Sequence, residues 1–175
     1  MRVVLDTCIL KLATFPGENN ASALIFELAH ADLIEAWVSP AILEEYADVL
    51  GDHPEFVAEI VERFPVCYPL TDLRVIRHEP DNRFLECALA VSAEFIVTVN
   101  TAPGHFDRKQ YQTTSVMRPG EFLNLPEVGR LVRPAQMTGE YSLPMSNHHG
   151  RVIATFIPQT NDLPQARWAR QARAG

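Results

Sequence analysis

The stretch VVLDTCIL, Val3 to Leu10, runs three apolar residues straight into an aspartate. An unbroken β-branched run that stops on a polar residue is the pattern of a short strand buried on both faces. Ligands of open parallel sheets bind at the carboxyl ends of the strands. A carboxylate there, with Thr7 directly behind it, is therefore either a cap for a following helix or part of a site.

Working outward, Asn20–Ala31 carries apolar residues at helical spacing (Ala23, Leu24, Phe26, Leu28, Ala29), which predicts an amphipathic helix. IEAWVSP predicts a second short strand over Glu35–Val38. Ser39-Pro40 then opens a helix that runs to about Leu50, with Ser39 as its cap. Pro54 opens another, with Phe56, Val57, Ile60, Val61 and Phe64 on its apolar face. VCYPL and LRVI are weak strand candidates. EPDN is a turn in which Asp81 or Asn82 can cap a helix over Arg83–Ser92. EFIVTVN is a strong strand ending at Asn100, and TTSVMRPGEFL gives a last strand and a helix from Pro119. This alternation predicts an α/β fold, a central mostly parallel sheet flanked by helices on both faces.

After about Pro126 the periodicity fails, so residues 1–126 are expected to form the domain and 127–175 a basic C-terminal extension. Within the extension RVIATFI is strand-like and PQARWARQARAG is a candidate basic helix. Residues 1–127 hold 9 Lys and Arg against 20 Asp and Glu, and residues 128–175 hold 6 against 2. An acidic domain is a poor partner for nucleic acid on charge alone. Bound cations in an acidic cleft, or contacts from the basic tail, would remove that objection. No apolar run reaches the length of a membrane span. The few apolar residues before Asp6 are too short for a secretion signal, and Cys8, Cys67 and Cys87 are spaced as reduced thiols. The expected location is cytoplasmic.

Asp6 ends the first strand, Asn100 ends the strong one, Asp81 precedes the helix leading into that strand, and Glu45 lies one turn into the helix after Ser39-Pro40. In this topology all four reach one end of the sheet. Clustered carboxylates repel, and a hard divalent cation relieves that repulsion.

VVLDTCIL, SPAILEEYADVL, EPDNRFLECALAVSAEFIVTVN and HF followed by SVMRPGEFL together resemble the PIN-domain family, in particular toxin components of bacterial toxin–antitoxin pairs. The resemblance covers Arg2 to about Leu125. It implies a PIN-like fold and a Mg²⁺- or Mn²⁺-dependent endoribonuclease acting on RNA. It also implies an antitoxin partner and, by analogy, a homodimer. The implied acidic site residues are Asp6, Glu45 (with Glu44 its neighbour), Asp81 and Asn100, as catalytic groups and metal ligands. Thr7 and Thr98 would support them by hydrogen bonds. The pattern departs at Asn100, where many relatives carry Asp, at Val99 for Gly and at Cys8 for Asn. The alternative is thus a catalytically weakened PIN-fold module that binds RNA or protein.

Other residues invite blander readings. His105 is a loop histidine and His148-His149 a surface pair without chelating spacing. Asp107 is a fallback acid. Arg108, Lys109 and Arg118 lie toward the predicted rim, where solvated charge is the default reading, and Arg167, Arg170 and Arg173 are read as meeting RNA, an antitoxin or nothing. A phosphatase with its nucleophile after strand one needs a second acid where Cys8 stands, and no nucleotide-binding glycine loop is present.

Overall fold

The computed structural model describes residues 1–15, 20–132, 144–146 and 152–155, the last two segments by their backbone. In chain order the elements are β1 (Arg2–Leu5), α1 (Thr7–Ala13), α2 (Ala21–His30), β2 (Glu35–Ala36), α3 (Pro40–Val49), α4 (Pro54–Arg63) and α5 (Asp81–Ala90). Then come β3 (Phe95–Val97), β4 (Gln110–Tyr111), β5 (Thr114–Met117), α6 (Pro119–Leu123), α7 (Pro126–Val132), β6 (Pro144–Ser146) and β7 (Val152–Thr155).

The chain divides into two units. The first, Met1–Lys11 with Ile34–Arg118, holds a five-stranded sheet in the order β2-β1-β3-β5-β4. β1 pairs parallel with β2 and with β3, β3 pairs parallel with β5, and only β4 runs antiparallel. β1 is an inner strand, which is why Val3, Val4 and Leu5 are all buried rather than alternating. Tyr46 on α3 is fully buried and its hydroxyl donates to the Leu5 carbonyl. The Tyr46 ring tilts against Phe84 of α5, with centroids 6.5 Å apart. These contacts fix the first turn of α5 and the middle of α3 to the end of β1.

Hydrogen bonds continue the ladder one residue past the strands, from Asp6 N to the Val97 carbonyl and from Thr98 N to the Met117 carbonyl, both at 3.0 Å. Asp6 and Thr98 therefore stand side by side at the carboxyl ends of neighbouring strands. Ser39 caps α3 by accepting from Ile42 N, with Pro40 in the first turn, as its sequence predicts.

Several expectations are revised. The VCYPL strand reduces to one parallel bridge between Val66 and Val38. LRVI is not a strand, because Asn82 Oδ1 accepts from Val75 N and Ile76 N and takes the groups a ladder would use. Neither Asp81 nor Asn82 caps α5; Pro80 holds the cap position and no side chain bonds there. On α4, Phe56, Ile60 and Phe64 are buried while Val61 is exposed. Cys67 and Cys87 are free thiols and far apart only in sequence: their sulfurs lie 3.4 Å apart.

The second unit joins Leu12–Leu33 to the chain from Pro119 onward. In it α2 packs on α6, and α6 on α7. Asn20 caps α2 through its bond from Ala23 N. The helix is buried from Ser22 to His30, so it is not the amphipathic helix its spacing suggested. β6 and β7 pair antiparallel, and β7 falls within the strand-like RVIATFI. His148, His149 and the tail arginines lie outside the described residues.

Candidate active site

Asp6 is buried and its carboxylate is fixed at both oxygens. Oδ1 accepts from Cys8 N at 3.1 Å, and Ile9 N reaches the Asp6 carbonyl at 2.8 Å. Asp6 thus caps α1, the following helix that its place at the strand end allowed. Oδ2 accepts from the Thr98 hydroxyl and, at 3.4 Å, from Asn100 Nδ2. Asn100 N in turn donates to Thr98 Oγ1 at 2.8 Å. Capping and site formation are therefore one arrangement, with the second oxygen turned away from the helix.

Glu45 sits one turn into α3, beside the buried Tyr46, and its Oε1 accepts from Thr7 Oγ1 at 2.6 Å. Its Oε2 is buried and meets no hydrogen-bond partner among the described residues. Glu44, one residue earlier, is exposed. Asp81 opens α5 and is buried, with Oδ1 2.9 Å from His78 Nδ1 and Oδ2 2.9 Å from His105 Nδ1.

Burial raises the Asp6 carboxyl above its ordinary range, opposed by the bonds from Thr98 and Cys8, with the charge of Asp81 adding to the rise. Burial raises Glu45 too, against the bond from Thr7 and the nearby Arg83 cation, and with the charges of Asp6 and Asp81 adding to it. The three acids are thus within electrostatic reach of one another. Asn100 joins Asp6 directly. Asp107 does not join them: it accepts from Tyr111 Oη at 3.3 Å. Cys8 is half-buried rather than a core residue; its thiol is pushed up to about 12 by burial and the neighbouring Asp6, and its sulfur accepts from Val99 N at 3.5 Å. Burial thus favours its protonated, less nucleophilic form.

A pH dependence follows. An acid whose folded pKa is raised holds a proton in the folded state that the unfolded state has already released. Stability from these two groups therefore grows as pH falls from neutral toward the ordinary carboxylate values of 3.8 and 4.5, and is lost as pH rises through the folded values. Metal-free protein is expected to melt higher in mild acid than the neutral-pH trend of its Asp6→Asn/Glu45→Gln variant would give. Melting curves of both proteins across pH check this; parallel curves contradict it.

Two histidines complete the neighbourhood. Gly104 adopts φ 96°, a left-handed conformation that favours glycine, and its carbonyl accepts from His78 N at 2.7 Å. That bond ties the loop before α5 to the loop after β3. Phe106 is buried, edge-on to Tyr111 at 6.2 Å, and anchors the second loop while His105 turns to Asp81. His105 is therefore no idle loop residue. His78 was missed altogether; its only sequence signal is a histidine three residues ahead of Asp81. Arg118 donates to Thr101 Oγ1 at 2.8 Å, next to Asn100. Arg108 lies over the Tyr111 ring, 5.8 Å from its centroid.

A family model described as PIN domain matches residues 2–102, more than half of the chain, and the protein belongs to the PIN-domain family. No curated protein and no solved structure matches it. PIN domains are generally metal-dependent nucleases, and PIN nuclease domains bind RNA. Among the described residues no helix is long and apolar enough to cross a membrane.

Proposed function

We propose that the protein is a divalent-metal-dependent endoribonuclease, the toxin component of a toxin–antitoxin pair, which hydrolyses RNA phosphodiester bonds. The observation that carries this is the gathering of Asp6, Glu45 and Asp81 at one end of the sheet, with a buried Glu45 oxygen that meets no partner among the described residues.

The residues fit a hard divalent ion. Burial, and to a lesser degree the charge of neighbouring acids, raises Asp6 and Glu45, and both offer oxygen donors. Asp6, Glu45, Asp81 and Asn100 would hold Mg²⁺ or Mn²⁺. Such an ion, when bound, supplies an acidified water and offsets charge on the phosphate oxygens. The protein's own groups do the rest. Thr98 and the Cys8 amide keep the Asp6 carboxylate in one orientation. Thr7 does the same for Glu45, so its free oxygen faces one way. Asn100 supplies an amide where a fourth acid would stand, lowering the site's negative charge. Arg118, pinned at Thr101, and Arg83, beside Glu45, are the cations placed to meet a phosphate backbone.

In this reading residues 127–175 are a basic extension outside the catalytic domain, with Arg167, Arg170 and Arg173 offered to RNA or to the antitoxin. The protein acts in the cytoplasm, either alone or as a homodimer. The second reading, a weakened binding module, is favoured by one contact: Asn100 turns its Nδ2 toward Asp6.

Incubating the full chain with RNA in Mg²⁺, Mn²⁺ or EDTA separates the two. Cleavage with either ion and none in EDTA is expected, with Glu45→Gln reduced on the order of 100-fold. RNA binding without cleavage under any condition would overturn the nuclease and leave the module.

A further inference from the structure

Asp81 differs from Asp6 and Glu45 in what surrounds it. Each of its oxygens lies 2.9 Å from a histidine Nδ1, one from His78 and one from His105. The imidazole centroids are 4.4 Å apart with the rings tilted by 40°. One donor atom from each of the three residues lies within 4.8 Å of the others.

The bland reading is a carboxylate that accepts two hydrogen bonds. Three features go further. The two rings come from different loops, yet both turn the same nitrogen, Nδ1, to one carboxylate. The loops are locked by the bond from His78 N to Gly104, so this convergence is built into the backbone. The site also has a floor and a mouth: the Asp81 side chain is 6% exposed, while those of His78 and His105 are 49% and 33% exposed. An ion can therefore enter from solvent on the histidine side. Finally, two imidazoles and a carboxylate suit first-row transition ions, whereas Mg²⁺ prefers oxygen donors alone.

We propose that His78, Asp81 and His105 form a binding site for a divalent transition ion of the zinc or cobalt class, beside the oxygen-donor pocket of Asp6 and Glu45. Asp81 lends its charge to both. Solvent completes the coordination on the exposed side. The inference goes beyond the nuclease reading and stands whether or not RNA is cut.

The test uses the full chain, free of any affinity tag, stripped of metal and titrated with Co²⁺ in the absence of RNA. One equivalent is expected to give ligand-field absorption in the visible range. Zn²⁺ should displace it, being the stronger ion in the divalent series, and a large excess of Mg²⁺ should not. His78→Gln and His105→Gln should each weaken Co²⁺ binding by at least the ~10–100-fold seen when a mere supporting partner of a metal ligand is lost. His148→Ala/His149→Ala should leave it unchanged. A further measurement needs no substitution at the site: proton NMR of wild type should show Co²⁺ shifting the ring resonances of His78 and His105. The proposal is overturned if wild type gives no Co²⁺ spectrum, if Mg²⁺ displaces the ion, if the His78→Gln/His105→Gln protein binds Co²⁺ as wild type does, or if other histidines shift instead.

Discussion

Asp6→Asn is expected to lower metal-dependent RNA cleavage by on the order of 10²–10³-fold, the scale of removing one charge-stabilising group from a dry active site, while the metal-free protein melts no lower than wild type at neutral pH. The two halves of this result come from one carboxylate. Asp6 is buried at the end of β1, and burial outweighs the bonds from Thr98 and Cys8, so its charge is held at a net disadvantage. The amide keeps the shape and an oxygen to accept from Cys8 N, and so keeps the cap on α1. It removes the repulsion felt by Glu45 and Asp81. What it cannot supply is a charged ligand. A site shaped for function at the expense of stability gives this pair of effects. RNA cleavage in Mg²⁺ or Mn²⁺ and melting of the metal-free chain are the two measurements. Wild-type cleavage by Asp6→Asn would show that the site is wrongly assigned. A fall in melting temperature would show instead that the charge of Asp6 serves chiefly to cap α1.

How far the sequence could be read follows from where each element draws its stability. β1 and the helix opened by Ser39-Pro40 were legible because a buried run and a capped proline are local signals. β4 was not, since Gln110–Tyr111 is a strand only through its pairing with β5. α1 was legible only as the helix that Asp6 could cap, since its start, Thr-Cys-Ile, carries no helical period of its own. LRVI misled in the opposite direction: its strand-like pattern is real, but its amides were claimed by a side chain seven residues away. In the site, Asp6 was legible from its place at a strand end. Glu45 was preferred to Glu44 by family register, and its contact with Thr7 is a long-range fact that no local pattern carries. The turn reading of Asp81 suggested a cap, whereas its oxygens face two histidines on separate loops. A lone histidine in each loop has no spacing to read; the Gly104 link and their shared Asp81 make them a pair.

Asn82→Ala is expected to destabilise the protein by about 4 kcal/mol, at roughly 1 kcal/mol for each of four hydrogen bonds. Oδ1 accepts from Val75 N at 3.0 Å and Ile76 N at 2.9 Å, and Nδ2 donates to the carbonyls of Ile76 at 2.9 Å and Glu79 at 3.1 Å. Asn82 is buried, and so is Ile76, so water cannot readily replace what is lost. Loss on this scale is a large fraction of the 5–15 kcal/mol that holds a typical domain together. The segment from Leu73 to Pro80 has no ladder of its own; this amide stands in for one. The same clamp sets His78 and Asp81 at the two ends of one turn, so a surviving population should also bind Co²⁺ more weakly. Asn82→Asp is the informative companion. Its carboxylate still accepts from Val75 N and Ile76 N but sets a buried negative charge against two carbonyl oxygens with nothing to donate, so it should be destabilised at least as much as Asn82→Ala. Urea denaturation midpoints of the three proteins order them. If Asn82→Ala unfolds within about 1 kcal/mol of wild type, less than one bond's worth beyond the ordinary spread of single substitutions, the loop holds itself and the side chain merely lies along it.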